Sequence, residues 1–422
     1  MAFEYQTLAL DKFKRLKVGA LFMKMGSGKT KVACDLIRYN ADKIEQVLWL
    51  CPFSVKQGTA DELGVWLPPE IPVKIVGYET VSGSERCWQE LLNYVHSGKT
   101  FLVLDESTFI KNGHAKRWER LKLVRMECPY CIILNGTPVT RDEWDLYWQM
   151  QMLDTRIIPF NEQDFERLFF DKKTITPGGY GRKRSFVKYK FSKRNAEALA
   201  KLVAPYTFRA DPDYGVDVKE THTTIKANAG TRCDYDEIRA DVLHDAKSQL
   251  AIMGGLSRLV QCMALDEERC KATANRALAF TEQGERVLVY AEFHSEMRRL
   301  KRMIPDAKAI NGETPKGERQ ETLDWFERTP NGVLIMSYGT GSFGLNLQYC
   351  RHVVFNSYGW DWGKLAQAKA RVVRIGQDNA VTLDFMESDL KFNEAVRRCV
   401  ENKGDMSDYV KAKIISGLDA IL

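Results

Sequence analysis

The chain has 422 residues, 44% of them hydrophobic, which suits two or three domains of ordinary size and excludes an intrinsically disordered polymer. Its 62 basic and 56 acidic residues leave a formal charge of +6, so a polyanionic partner is permitted without being required. Ten cysteines are too few for a disulfide scaffold, no run of about 18 apolar residues offers a membrane span, and the opening MAFEYQTLALDKFKRLK lacks the apolar stretch of a secretory signal, so a soluble, cytoplasmic protein with no membrane partner is expected.

Along the chain, short apolar runs alternate with helix-period segments, the βαβ signature of a parallel sheet covered on both faces. Strands are predicted at Ala20–Met23, Val47–Cys51, Val73–Val76, Phe101–Leu104 and Cys131–Leu134. Asp142–Phe170, rich in Trp, Leu, Phe and acids, reads as helical. In Ile175–Arg194 the turn signal GGYG is followed by apolar residues alternating with Lys, which predicts a β-hairpin with a basic face. Glu237–Leu265 and Glu268–Thr281 again read as helical. A second set of strands follows at Val287–Ala291, Val333–Ser337, His352–Phe355 and Val381–Phe385. The fold class is therefore α/β with two similar sheets.

LFMKMGSGKT places Gly26, Ser27, Gly28, Lys29 and Thr30 after an apolar strand and before a helical segment, the arrangement of a phosphate loop. Glycines allow successive N–H groups to face phosphate oxygens, the helix N-terminus adds partial positive charge, Lys29 reaches the β and γ phosphates, and Thr30 ligates magnesium. The usual first glycine of the motif is replaced by Met23. Asp105 and Glu106 close the apolar run FLVL, where an NTPase holds its metal and its general base. ATP and Mg2+ are the cofactors these two motifs imply.

Four further phrases follow in order: DESTFIKN (Asp105–Asn112), LNGTPVT (Leu134–Thr140), SYGTGSFGLNL (Ser337–Leu347) and QAKARVVRIGQ (Gln367–Gln377). Together with the phosphate loop they resemble the Swi/Snf branch of superfamily two helicase-like ATPases, from Tyr5-Gln6 to near Lys403. The resemblance implies two RecA-like parallel-sheet lobes forming a helicase-type motor, with a helical and basic-hairpin insertion. Lobe 1 is expected over residues 1–225, including a protrusion at about 142–205, and lobe 2 over 226–422. It further implies that Gln6 reads adenine, that Gly136, Thr137 and Pro138 couple nucleotide to DNA, and that Gly344, Asn346 and Gln367 face the cleft, with Thr340 on DNA. Arg371 and Arg374 would be arginine fingers, which stabilise transition-state charge. The chain departs from the family at Thr108 and Val373, where histidines are usual, at Ala370, where an acid is usual, and at Trp360-Asp361-Trp362 in place of Trp-Asn-Pro. Its compact length suggests a bacterial or phage origin and a nucleoid-associated role.

Between 182 and 194 lie seven cations with no acid: Arg182, Lys183, Arg184, Lys188, Lys190, Lys193 and Arg194. They are a solvated loop or, in an insertion of this family, a DNA contact. Cys128-Pro129-Tyr130-Cys131 spells a redox dithiol but enters a strand instead of opening a helix, so core packing is expected. Trp360 and Trp362 would either stack on DNA or pack inside the lobe. The function expected is an ATP-dependent double-stranded DNA translocase. The alternatives are a strand-separating or branch-migrating helicase, for which the hairpin is the available wedge, and an ATP-gated DNA clamp without turnover.

Overall fold

In the computed structural model the described residues are 3–136, 138–139, 143–175, 186–244, 249–339, 347–374, 376–402 and 422. They form two compact units that divide between Pro212 and Asp213.

In the first unit, β1 (Val18–Met23), β2 (Gln46–Cys51), β3 (Val73–Gly77), β4 (Thr100–Leu104) and β5 (Tyr130–Asn135) alternate with helices. After an excursion containing β6 (Phe170–Ile175) and β7 (Phe186–Phe191), the chain returns as β8 (Thr207–Ala210). The sheet runs β3-β2-β4-β5-β1-β8, and all of its pairings are parallel. Alternate side chains explain why its strands read as unbroken apolar runs. Ala20, Phe22, Leu48, Leu50, Leu102 and Leu104 enter the core on one face, while Leu21, Met23, Val47, Trp49, Phe101 and Val103 enter the core on the other. Each fully buried side chain of this size is worth about 1.5–3 kcal/mol.

The second unit repeats the scheme with β9 (Val218–Ile225), β10 (Val287–Ala291), β11 (Lys308–Ile310), β12 (Val333–Ser337), β13 (His352–Phe355) and β14 (Val381–Ser388). Its parallel sheet runs β11-β12-β10-β13-β14-β9. The two parallel sheets with helices between their strands give the α/β architecture. The expected lobe boundary at 225/226 lies at the far end of β9, whereas the units divide ahead of it. That strand pairs with β14 from Val218–Val381 to Ile225–Ser388, so it belongs to the second sheet.

The helical insertion is two helices, Trp144–Leu153 and Glu162–Phe169. The hairpin starts earlier than the GGYG signal suggested. Phe170–Ile175, which runs from the last residue read as helical to the first residue read as hairpin, is its first strand and pairs antiparallel with Phe186–Phe191. No described helix is long and apolar enough to cross a membrane.

Candidate active site

The residues read as a nucleotide site in the first half lie at the carboxyl ends of neighbouring strands, β4-β5-β1 in sheet order. In open parallel sheets, ligands bind in the crevice at that edge. The phosphate loop leaves β1 through Gly26 and Gly28, both left-handed with φ of 77° and 78°. Gly28 caps the helix Lys29–Tyr39, so the free N–H groups of its first turn open onto the loop. A Cβ at Gly28 would stand 2.4 Å from Gln6 Nε2, so a side chain there is excluded by both conformation and space.

Gln6 is buried, and its Nε2 donates to Ser27 O at 2.9 Å while its Oε1 accepts from Phe3 N at 3.1 Å. Tyr5 Oη donates to the same Ser27 carbonyl at 3.1 Å. The residue expected to read adenine is thus held against the phosphate loop. Lys29 Nζ donates to Met23 O at 3.0 Å and Lys24 O at 3.3 Å at the base of the loop. Ser27 Oγ is buried without a hydrogen-bond partner among the described residues, an unsatisfied polar atom inside the loop itself.

At the end of β4, Asp105 N donates to Leu50 O at 2.8 Å, and Asp105 Oδ1 accepts from Glu106 N at 2.9 Å. Burial first, and then the neighbouring Glu106 charge, hold the Asp105 carboxyl well above the usual carboxylate range, with Lys29 pulling the other way. Glu106 has φ 49° and ψ 60°, the sole non-glycine with positive φ among the described residues. Such a conformation costs on the order of 1–3 kcal/mol and persists where surrounding contacts over-determine it. Tyr78 is one such contact: fully buried, it donates its Oη to Asp105 O at 2.8 Å.

These groups fit a nucleotide with a hard cation. A half-buried acid pair offset by one lysine is relieved by added positive charge, and Thr30 supplies a hydroxyl oxygen at the first turn of the following helix. No group of three or more His, Cys, Asp or Glu side chains among the described residues is arranged to hold a metal. Magnesium is suited to such a setting, since it uses one or two carboxylates and completes its shell with phosphate oxygens and water.

Gln367, Arg371 and Arg374 belong to the second unit. Gln367 lies on the helix Trp362–Lys369 and is half-buried. Arg371 is buried, and its charge acts on the buried Tyr290 hydroxyl. Arg374 is half-buried, with its carbonyl accepting from Gln377 N at 3.1 Å. Gln377 is structural: its Nε2 donates to Gln348 O at 2.8 Å and Cys350 O at 3.0 Å. Thr137, Thr340, Gly344, Asn346, Arg182, Lys183 and Arg184 lie outside the described residues. Lys188 and Lys190 lie on β7, opposite Lys173 and Asp171.

Cys128 and Cys131 are buried, and all ten cysteines are free of disulfides. Burial pushes both thiols up, that of Cys131 to about 11, away from reactive thiolate character. Trp360 packs against the core of the second unit, and Trp362 lines a cavity of about 200 Å³ beside Tyr358 and Phe385. Sequence reasoning overlooked Ser107, Asn135 and Gln149, which meet in a buried network behind the acid pair. The signal available was Gln149 itself, a long amide inside the largely apolar helix WDLYWQMQML.

Residues 65–220 match the SNF2-related domain family, and residues 270–376 match the helicase conserved C-terminal domain family. The SNF2-related match begins downstream of Gly26–Thr30, so the assignment of the phosphate loop rests on its geometry and sequence. Among relatives, the SWI/SNF-related matrix-associated actin-dependent regulator of chromatin subfamily A-like protein 1 of Drosophila melanogaster is 23% identical over 74% of this chain and 41% of its own length. A putative ATP-dependent helicase/translocase of Bacillus subtilis, YwqA, is 23% identical over 73% of this chain and 35% of its own. The chain thus spans less than half the length of these two relatives. A solved Sulfolobus solfataricus SWI2/SNF2 ATPase core in complex with dsDNA aligns over 99% of this chain and 94% of its own, at 19% identity and a TM-score of 0.43.

Proposed function

We propose that this SNF2-type protein is a magnesium-dependent ATPase, stimulated by duplex DNA, that translocates along double-stranded DNA. The observation that carries the hydrolytic reading is the pairing of a glycine phosphate loop after β1 with an acid pair after β4, its Glu106 held in a left-handed conformation, at the carboxyl ends of strands in one sheet. Backbone N–H groups of residues 26–30 and the Lys29 ammonium receive the phosphates. Thr30 and Asp105 would hold Mg2+, which when bound neutralises charge building on the phosphate oxygens. Glu106 orients the attacking water and accepts its proton, so the base sits on the residue whose backbone is most tightly constrained. Gln6 selects the base of the nucleotide from its place beside Ser27.

Gln367, Arg371 and Arg374, with Gly344 and Asn346, are assigned to completing hydrolysis from the second lobe, the arginines as charge-stabilising fingers. Thr137, Thr340 and the basic residues Arg182, Lys183, Arg184, Lys188 and Lys190 are assigned to DNA. Translocation is supported by the relative whose printed name includes translocase, and duplex DNA as track is what the resemblance of the motifs to the Swi/Snf branch implies. Presence of the phosphate-loop lysine, both acids and both arginines favours turnover over an inert clamp. Displacing a third strand from a triplex and separating a forked duplex, each measured with ATP, tests this reading against a helicase. Triplex displacement without fork opening is expected. Efficient opening of a plain fork would move the assignment to a strand-separating enzyme.

A further inference from the structure

We propose that Gln149 is a positioning residue for the general base: through Ser107 it fixes the Glu106 turn and ties it to the loop after β5. This inference rests on the hydrolytic reading above. Gln149 is wholly buried on the helix Trp144–Leu153, and its amide is used at both ends. Its Oε1 accepts from Ser107 Oγ, and from Asn135 Nδ2 at 3.4 Å. Its Nε2 donates to Pro138 O at 2.6 Å and to Asp145 O at 2.7 Å. Asn135 Nδ2 also donates to Ser107 Oγ at 3.0 Å, which closes the network.

The position of these bonds gives them a role beyond satisfying a buried amide. Ser107 directly follows Glu106 and opens the short turn Ser107–Ile110. Tyr78 holds the chain just before Glu106, through Asp105 O, and Gln149 holds it just after, through Ser107. The left-handed Glu106 is therefore pinned from both sides by buried groups, the condition under which a strained residue keeps one conformation. One helical turn before Gln149, buried Asp145 lies 3.7 Å from Lys111 in the same segment, so residues i and i+4 of one helix face clamp residues 107–111. The bond to Pro138 O carries the same helix to the loop that follows β5. A leucine at 149 would fill similar volume but would leave Ser107 Oγ and Pro138 O without these partners, an outcome costlier than an apolar core built without them.

The test compares the parent chain with Ser107→Ala, Gln149→Leu and the double variant. Steady-state ATP hydrolysis is measured well below each variant's melting temperature, with ATP affinity measured separately. Both single variants are expected to lower kcat about tenfold or more with KM for ATP within about twofold, because a displaced base acts in the transition state and leaves ground-state binding alone. The double variant should be no worse than Gln149→Leu, since one path is cut twice. If Gln149→Leu does not fold, Ser107→Ala decides alone. A kcat within twofold of the parent in the folded variants, or a rise in KM with kcat unchanged, overturns the inference while the parent remains an ATPase. A parent that does not hydrolyse ATP overturns the functional reading and this inference with it.

Discussion

Glu106 and Gly28 both hold left-handed backbones in the site, and each yields a separable expectation. Replacing Glu106 by Gln keeps its size and removes the proton acceptor, so kcat should fall by at least about 10² while ATP stays bound. Retention of radiolabelled ATP on a filter, beside the rate of phosphate release, reads both quantities. Turnover at the parent rate would remove Glu106 from the role of base. Gly28→Ala puts a Cβ against Gln6 Nε2 and forces a φ of 78° on a residue that resists it, a penalty of roughly 1–2 kcal/mol. Thermal melting should drop and nucleotide affinity should weaken, whereas an unchanged melting temperature with full affinity would contradict the loop geometry. At this scale the sequence was legible wherever chemistry and motif coincide, as at Lys29, Asp105 and Glu106. It was not legible at Tyr78, Ser107 and Gln149, because their roles arise from three segments distant in the chain folding against one turn.

Among the elements, the central strands could be read to within a few residues because burial on both faces makes them continuous apolar runs. β8, β9 and β11 were not legible, for physical reasons. β9 is an edge strand whose VKETHTTI sequence is mostly exposed or half-buried, and β11 has three residues. Their strand state comes from pairing with a neighbour, not from local pattern. The hairpin β6–β7 shows the same limit, since FDKKTI falls between the helical stretch ending at Phe170 and the turn signal after Ile175 and has no strand pattern of its own. Its basic residues carry the DNA expectation. Changing Arg182, Lys183, Arg184, Lys188 and Lys190 to Ser or Gln should leave DNA-free hydrolysis intact and reduce the slope of log affinity against log salt by about two to four, near 0.9 per lost phosphate contact. Duplex binding titrated over a series of salt concentrations measures that slope. An unchanged slope would assign the hairpin to a solvated surface.

For the molecule as a whole, stability should depend on pH through a carboxyl the site does not use. Glu296 is wholly buried in the second unit and accepts from Ser357 Oγ at 2.6 Å, Asn356 Nδ2 at 2.7 Å and Phe293 N at 2.9 Å. Burial still outweighs these bonds and pushes its pKa from 4.5 up to about 7. Below about pH 4.5 the group is protonated in both folded and unfolded chains and makes no difference. Between about 4.5 and 7 the unfolded chain releases a proton that the folded chain keeps, so this group lowers stability as pH rises, with the full penalty reached above about 7. Glu296→Gln should flatten that part of the profile in urea unfolding followed across the range. An identical slope in the variant would place the titration elsewhere.

Duplex DNA is proposed to stimulate ATP hydrolysis in the first-unit site. The most direct measurement is phosphate release from ATP by the purified chain with Mg2+, with and without duplex DNA, beside Lys29→Ala under the same conditions. This coupling requires a low basal rate, a rise of several-fold or more with duplex DNA at least as large as with single strands, and loss of both rates in Lys29→Ala. A parent rate that duplex DNA leaves unchanged, or hydrolysis that survives Lys29→Ala, would contradict it.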